Sequence, residues 1–273
     1  MGNEVSELQE ERKFEITAQR QKISLNANLV LYVLLVGKCT EIHVFDGKIY
    51  HTRIPLCQLQ EVLGESFLQL HRGCLVSVRA IHDITDTVNL INGERLEYAL
   101  RKKKQILEQL HSQRKQIISG LSEDGVPETE EEYRRYFSSF DNLPFAFTDI
   151  EMVFNENSRA VDWIFRYGNP ALERLEKLPL ERLIGSSFSS LFDNMDSKWL
   201  RSYERSALYG EILELMDYSP EIDTYLKVIC FPTFRGHCGC ILFQIPQIQF
   251  SRTSGDCEKL LSFYFGNLFP KSR

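Results

Sequence analysis

The stretch Phe67-Leu68-Gln69-Leu70-His71-Arg72-Gly73-Cys74-Leu75-Val76-Ser77-Val78 decides how the first half of the chain is read. Leu and Val dominate residues 68–78, which predicts a strand with a polar pair, His71-Arg72, in its middle. On a single strand, residues three apart point to opposite faces. His71 and Cys74 are therefore badly placed to act together as a Cys-His nucleophile.

Strand signals continue on both sides. Upstream, residues 30–36 read as a buried strand. Residues 41–45 and 48–54 read as two strands joined at Asp46-Gly47, a pair that takes the positive φ of a tight hairpin turn. Pro55 then introduces a short amphipathic helix with Leu56, Leu59, Val62 and Leu63 on one face and Gly64 at its end. Downstream, residues 86–91 and 94–100 read as strands joined at Asn92-Gly93. Residues 23–100 are thus mostly strand with one short helix, while residues 1–22, charged and poor in apolar positions, read as an arm or a frayed helix.

Residues 101–119 have a helical composition. Leu107, Leu110, Ile117 and Leu121 follow a 3-then-4 spacing interrupted by Arg114, which predicts a seam for a partner helix; the alternative is a helix lying on its own domain. The acidic run SEDGVPETEEE after Gly120 reads as a linker. Beyond it the pattern is mixed α+β. A helix is expected over 131–140, strands over 145–154 and 160–166, a helix started by Asn169-Pro170, another over 198–209, and strands over 224–231 and 239–245. A tail with Leu260, Leu261, Phe263 and Phe265 is expected to pack back as a helix. The predicted organisation is an arm or helix (1–22), a mainly β domain (23–106), a connecting helix and acidic linker (107–130), an α+β domain (131–247) and a tail (248–273).

Two domains suit a chain of 273 residues, and 43% hydrophobic with 26% charged residues can bury real cores. The start is polar and acidic, unlike a secretory signal, and the longest apolar run, residues 29–36, is far short of the roughly 20 residues of a membrane span, so a cytoplasmic protein is expected. Seven irregularly spaced cysteines, an odd number, read as free thiols of a reducing compartment. The net charge of -6 is unevenly spread: residues 1–120 hold 16 Lys and Arg against 14 Asp and Glu, and the remainder 16 against 24. An anionic partner is therefore compatible with the first part only.

Residues 67–78, followed by Ile81, resemble the signature of LytTR DNA-binding domains, a phenylalanine, then His-Arg-Ser-aromatic-Leu-Val-Asn. The similarity extends over about residues 23–106 and includes the Asp46-Gly47 hairpin and the helix at 56–63. Gly73 stands for the usual serine, Cys74 for the aromatic and Ser77 for the asparagine. The resemblance implies an elongated, mainly β domain of a bacterial transcription regulator that reads double-stranded DNA with loops and strand ends. It places DNA contacts at Lys38 and Cys39 in an early loop, at His71 and Arg72, and at Arg101, Lys102 and Lys103. Arginine suits base readout because its planar fork donates two hydrogen bonds to guanine, whereas lysines neutralise phosphates. His71 equally suits bracing its own loop, and Cys39 equally suits a small buried hydrophobe.

Residues 131–246 resemble a PAS domain, carried by Leu143-Pro144-Phe145-Ala146-Phe147, Asp162-Trp163-Ile164-Phe165 leading into Asn169-Pro170-Ala171-Leu172, Leu183-Ile184-Gly185, Ala207-Leu208-Tyr209-Gly210-Glu211 and Tyr218-Ser219-Pro220. This implies an antiparallel sheet and short helices around an apolar core that holds a ligand or mediates dimerisation. No cofactor is indicated: the flavin-binding cysteine motif and an isolated haem-ligating histidine are both missing. His237, Cys238 and Cys240 supply three metal-ligand types, but HCGC reads more simply as a tight turn. No phosphate-cradling glycine loop or HExxH motif occurs, so no enzyme is expected. The predicted protein is a homodimer joined through Leu107, Leu110 and Ile117, with DNA affinity set by dimer geometry. The rival reading, prompted by Gly73, Cys74 and Ser77, is an interaction protein that has lost DNA binding.

Overall fold

In the computed structural model, residues 12–18, 20–120, 125–193 and 195–245 are described. Strands β1 (Lys13–Ala18) and β2 (Gln21–Asn26) form a hairpin from Lys13↔Asn26 to Ala18↔Gln21. Phe14, Ile16 and Ala18 are buried in alternation with exposed neighbours, the period-2 pattern of a half-buried strand. The expected arm or frayed helix is therefore a strand at residues 13–18; its charged residues conceal a three-residue apolar stripe. Residues 1–11 lie outside the described residues.

Five strands follow: β3 (Val30–Val36), β4 (Cys39–Val44), β5 (Ile49–Thr52) and, after helix α1 (Leu56–Leu63), β6 (Phe67–His71) and β7 (Cys74–Ser77). They form one antiparallel sheet in the order β5-β4-β3-β7-β6. The β4–β5 turn falls at Asp46-Gly47, where Gly47 has φ +80° and the Lys48 amide donates to Asp46 Oδ1 at 3.0 Å. In α1, Leu56, Leu59 and Leu63 are buried, whereas Val62, expected on the same face, is exposed.

The single strand expected over 68–78 is instead the hairpin β6–β7, doubled back at Arg72-Gly73. Its continuity in sequence has a physical cause. The hairpin is buried on both faces: Phe67 and Leu75 pack with Leu59 and Leu63, while Leu68, Leu70, Cys74 and Val76 pack with Ile106 and Leu110. Strands covered on both sides carry no polar alternation to mark where the chain turns.

A second sheet, β8 (Ile81–Ile84), β9 (Val88–Leu90) and β10 (Arg95–Leu96), has β9 in the centre, and its β9–β10 turn contains Gly93 at φ +85°. Strand β8 was not expected: only Ile81 of its four residues is buried. Helix α2 (Lys103–Ser119) lays Ile106 and Leu110 into the domain core with Arg114 buried beside them, and Gln113 donates to the Glu65 carbonyl. Leu110 thus faces its own domain while Leu107 is 41% exposed and Ile117 half-buried, so the three share no single exposed face.

In the second half, α3 (Glu130–Tyr136) begins with a capping box between Thr129 and Glu132. Then come β11 (Ala146–Phe154), β12 (Ala160–Gly168), α4 (Pro170–Glu176), α5 (Leu180–Leu183), α6 (Phe188–Leu191), α7 (Ser197–Tyr209), β13 (Leu213–Ser219), β14 (Thr224–Pro232) and β15 (His237–Ile245). The strands form an antiparallel sheet in the order β12-β11-β15-β14-β13, and the helices between β12 and β13 cover one face. This is the α+β, PAS-like arrangement expected of that half. Asn169 caps α4, its Oδ1 accepting the Leu172 amide at 3.0 Å, and its side chain also ties β11 to the preceding loop.

Strand β13 was not expected, because its alternation is between half-buried and exposed positions rather than buried and exposed ones. The HCGC segment is strand, not a tight turn; the turn lies just before it, with Gly236 at φ +83°. The tail at 248–273 lies outside the described residues. The halves meet along α7, where Arg79 stacks on Tyr209 at 5.1 Å and Arg205 on Phe45 at 5.7 Å, and just before β12, where Arg159 donates to the His82 carbonyl.

Candidate nucleic-acid interface

Three short segments meet at one end of the five-stranded sheet. The first is the β3–β4 turn, where Gly37 at φ +63° allows the chain to reverse at Gly37-Lys38. The second is the β6–β7 turn at Arg72-Gly73, joined to the first by the Leu35 amide donating to the Gly73 carbonyl at 2.8 Å. The third is the segment leading into α2: the Ala99 amide donates to the Leu70 carbonyl at 3.3 Å, and Lys102 Nζ reaches Gln69 Oε1 at 3.4 Å.

His71 braces the second turn. Its Nδ1 accepts the Gly73 amide at 3.1 Å, so the ring proton belongs on Nε2, leaving a half-buried donor at the sheet end. Gly73 is not demanded by backbone geometry: its φ is not positive, and an added Cβ would meet Leu35 and His71 only at ordinary contact distances of 3.5 and 3.6 Å. A serine there is therefore sterically acceptable, and its replacement by glycine leaves the turn intact.

Arg72 and Arg101 are exposed and make no hydrogen bond or ion pair to a described residue, and the same holds for Lys38. Cys39 is exposed, not a buried hydrophobe. Lys102 and Lys103 are half-buried and tethered, the latter to the Thr85 carbonyl at 3.0 Å. The sheet end thus combines exposed guanidinium forks at Arg72 and Arg101 with anchored ammonium groups at Lys102 and Lys103. Sequence reading missed Leu35, Val36 and Leu100, which are 47%, 50% and 77% exposed at this end. The signal was hidden because residues 30–36 look uniformly apolar, whereas only the first four are buried.

His71 and Cys74 are register partners across the hairpin rather than residues on opposite faces of one strand. They still form no nucleophile and base: Cys74 is fully buried, which pushes its thiol up to about 12, and His71 Nδ1 is committed to the turn. His237 bonds to buried Asp149 at 2.8 Å on one face of β15, while Cys238 and Cys240 point into the core on the other. Among the described residues no group of three or more candidate ligands could hold a metal ion, and no helix is long and apolar enough to cross a membrane.

The family model of the LytTr DNA-binding domain matches residues 20–111, and those residues constitute such a domain. Among solved structures, the LytTr DNA-binding domain of a Bacillus cereus protein described as a methyl-accepting/DNA response regulator is similar at 19% identity and a TM-score of 0.33, covering 36% of this chain and 95% of that one. A Rhodobacter sphaeroides LOV protein is similar at 18% identity and a TM-score of 0.32, covering 51% of this chain and 79% of that one. No curated protein matches.

Proposed function

We propose that the chain is a DNA-binding transcription regulator that contacts duplex DNA with the end of the five-stranded sheet, under the control of its PAS-like half. The observation that carries this reading is the convergence of the Gly37-Lys38 turn, the Arg72-Gly73 turn and residues 99–102 on one edge. In this reading Arg72 and Arg101 are the base-reading groups, since an exposed, unpaired guanidinium fork can reach the two acceptors of guanine in the major groove. Lys38, Lys102 and Lys103 face phosphates and fix position. Leu35 and Val36, exposed beside Arg72, supply apolar contact for thymine methyl groups, and His71 Nε2–H and the backbone at Cys39 complete the surface.

Regulation acts through the α7 contact, which joins the PAS-like half to Arg79 and Phe45 of the DNA-binding half. A signal held in the PAS-like half changes DNA affinity only if it favours one arrangement of the two halves over another. The test is selection of bound fragments from random duplex DNA by the full chain, followed by titration at several salt concentrations. An enriched motif is expected, with log affinity falling by roughly 0.9 per neutralised phosphate in log salt. No enrichment, together with no binding at low salt, would discard the proposal.

A further inference from the structure

The inner face of the PAS-like sheet and helices α4, α6 and α7 bound a cavity of about 50 Å³ that is partly open to solvent. A water needs about 10 to 15 Å³ on this measure, so the space holds a few waters or the head of a small organic molecule. Its wall is aromatic. The Trp163 ring lies 4.4 Å from Phe188 and 5.3 Å from Tyr203, and Trp199 lies 6.3 Å from Tyr203. Three carboxyl side chains also line it, from Glu176, Asp196 and Glu221, and no Lys, Arg or His does.

The three carboxyls are not equivalent. Asp196 is occupied in capping α7, where it accepts the Lys198 amide at 2.8 Å, and Glu221 accepts the Ser219 hydroxyl at 2.6 Å. Glu176, at the end of α4, has no hydrogen bond or ion pair to a described residue. Burial, then the neighbouring Glu221 charge, push its carboxyl up to about 7. A carboxylate held in an aromatic wall without a counter-ion is costly, and an apolar guest would leave that cost in place. An anion would be repelled. A cation satisfies the carboxylate and gains from the ring faces, where desolvation strengthens the cation–π attraction.

We propose that this cavity binds a small organic ammonium ion, a primary or N-methylated alkylamine, with Glu176 as its counter-ion and Trp163, Trp199 and Tyr203 as its walls. The inference deepens, and rests on, the reading of the PAS-like half as the sensing half, and it names what that half senses. Trp163 and Trp199 are the two tryptophans of the chain and both line the cavity, so tryptophan emission, excited selectively over the 11 tyrosines, comes from the cavity wall.

The probe is isopropylammonium chloride, with isopropanol as its neutral isostere and sodium chloride as the ionic control, at about pH 8 where the Glu176 carboxyl is ionised. A saturable fluorescence change with the ammonium salt is expected, with isopropanol binding roughly ten-fold more weakly. In Glu176→Gln the ammonium affinity falls roughly ten-fold, to the level of isopropanol. A denaturation midpoint equal to or above that of the wild type at the same pH shows that this variant is folded. The proposal is overturned by no saturable change, by equal affinity for the two probes, or by a folded Glu176→Gln that binds the ammonium ion as well as the wild type. No DNA enters the assay, so failure here with DNA binding intact removes the ligand class and leaves the DNA-binding reading standing.

Discussion

The two halves place their chemistry in opposite ways. The DNA-binding half turns Lys38, Arg72 and Arg101 outward from loops at a sheet end, while the PAS-like half turns Trp163, Trp199 and Glu176 inward between its sheet and helices. In the proposed reading the outward groups meet a large polyanion that arrives with its own shape and charge, so the protein need only hold three loops in register. Inward groups must supply the whole environment of a guest, and their spacing depends on many packed elements. The contrast teaches that the turn at Gly73 accepts glycine or serine without a backbone change, whereas the walls of the cavity come from elements far apart in sequence.

The sharpest way to break the contrast is to test whether α2 belongs to its own domain or to an interface between copies. Leu110→Ala is expected to cost about 2 to 5 kcal/mol, because the side chain is buried with Ile106 in the core. Leu107→Ala should stay within about 0.5 kcal/mol, as for other exposed positions. Urea unfolding of both variants measures this. A large cost at Leu107 that depends on protein concentration would show that a second copy covers it and restore the dimer seam.

Next in size is the inward carboxyl. The folded-state pKa of Glu176 lies at about 7 against an ordinary 4.5, so the folded protein binds the proton more tightly than the unfolded chain. The associated stability is fully present below about 4.5 and is lost as pH rises through about 7. Glu176→Gln should escape that loss and be more stable than the wild type at about pH 8 by about 1 to 3 kcal/mol, with no advantage at about pH 4. Thermal or urea unfolding across this range checks the sign, and an equal difference at both ends would show that folding does not raise the Glu176 pKa.

The outward site is expected to show effects no larger than those of the inward carboxyl. Arg72→Ala should cost about 1 to 3 kcal/mol on the selected sequence and relax preference at one base position. Lys103→Ala should weaken specific and random DNA alike, by under about 1 kcal/mol, and lower the salt slope by roughly one. Its tether to the Thr85 carbonyl limits how far it reaches. Matching losses on both DNAs for the two variants would merge the roles of base reader and phosphate anchor.

Much of this was legible in the sequence wherever the deciding interactions are local. Asp46-Gly47 and Asn92-Gly93 gave the hairpins, because a positive φ is a property of one residue. Asn169-Pro170 gave the start of α4, because a cap reaches only three residues ahead. The run at 67–78 identified the DNA-binding half through its residue types. What the sequence could not settle was decided by burial from distant elements. Leu68 and Leu75 look alike in sequence, but one packs toward α2 and the other toward α1, which turned an apparent strand into a hairpin.

The same limit applies to Leu107 and Leu110. Their spacing fits a seam with a partner equally well as a face on the protein's own core, and only the position of β6 under α2 assigns Leu110 to the latter. Residue type and short-range order determined the two domain kinds and the turns that gather at the sheet end. The tertiary structure alone decided which apolar residues stay exposed at the sheet end, and that Trp163, Glu176, Trp199 and Glu221 line a single cavity. These four are spread over β12, α4, α7 and the β13–β14 connection. Hydrophobic burial is non-directional and summed over the whole core, so no local pattern records which of these residues will come to share a wall.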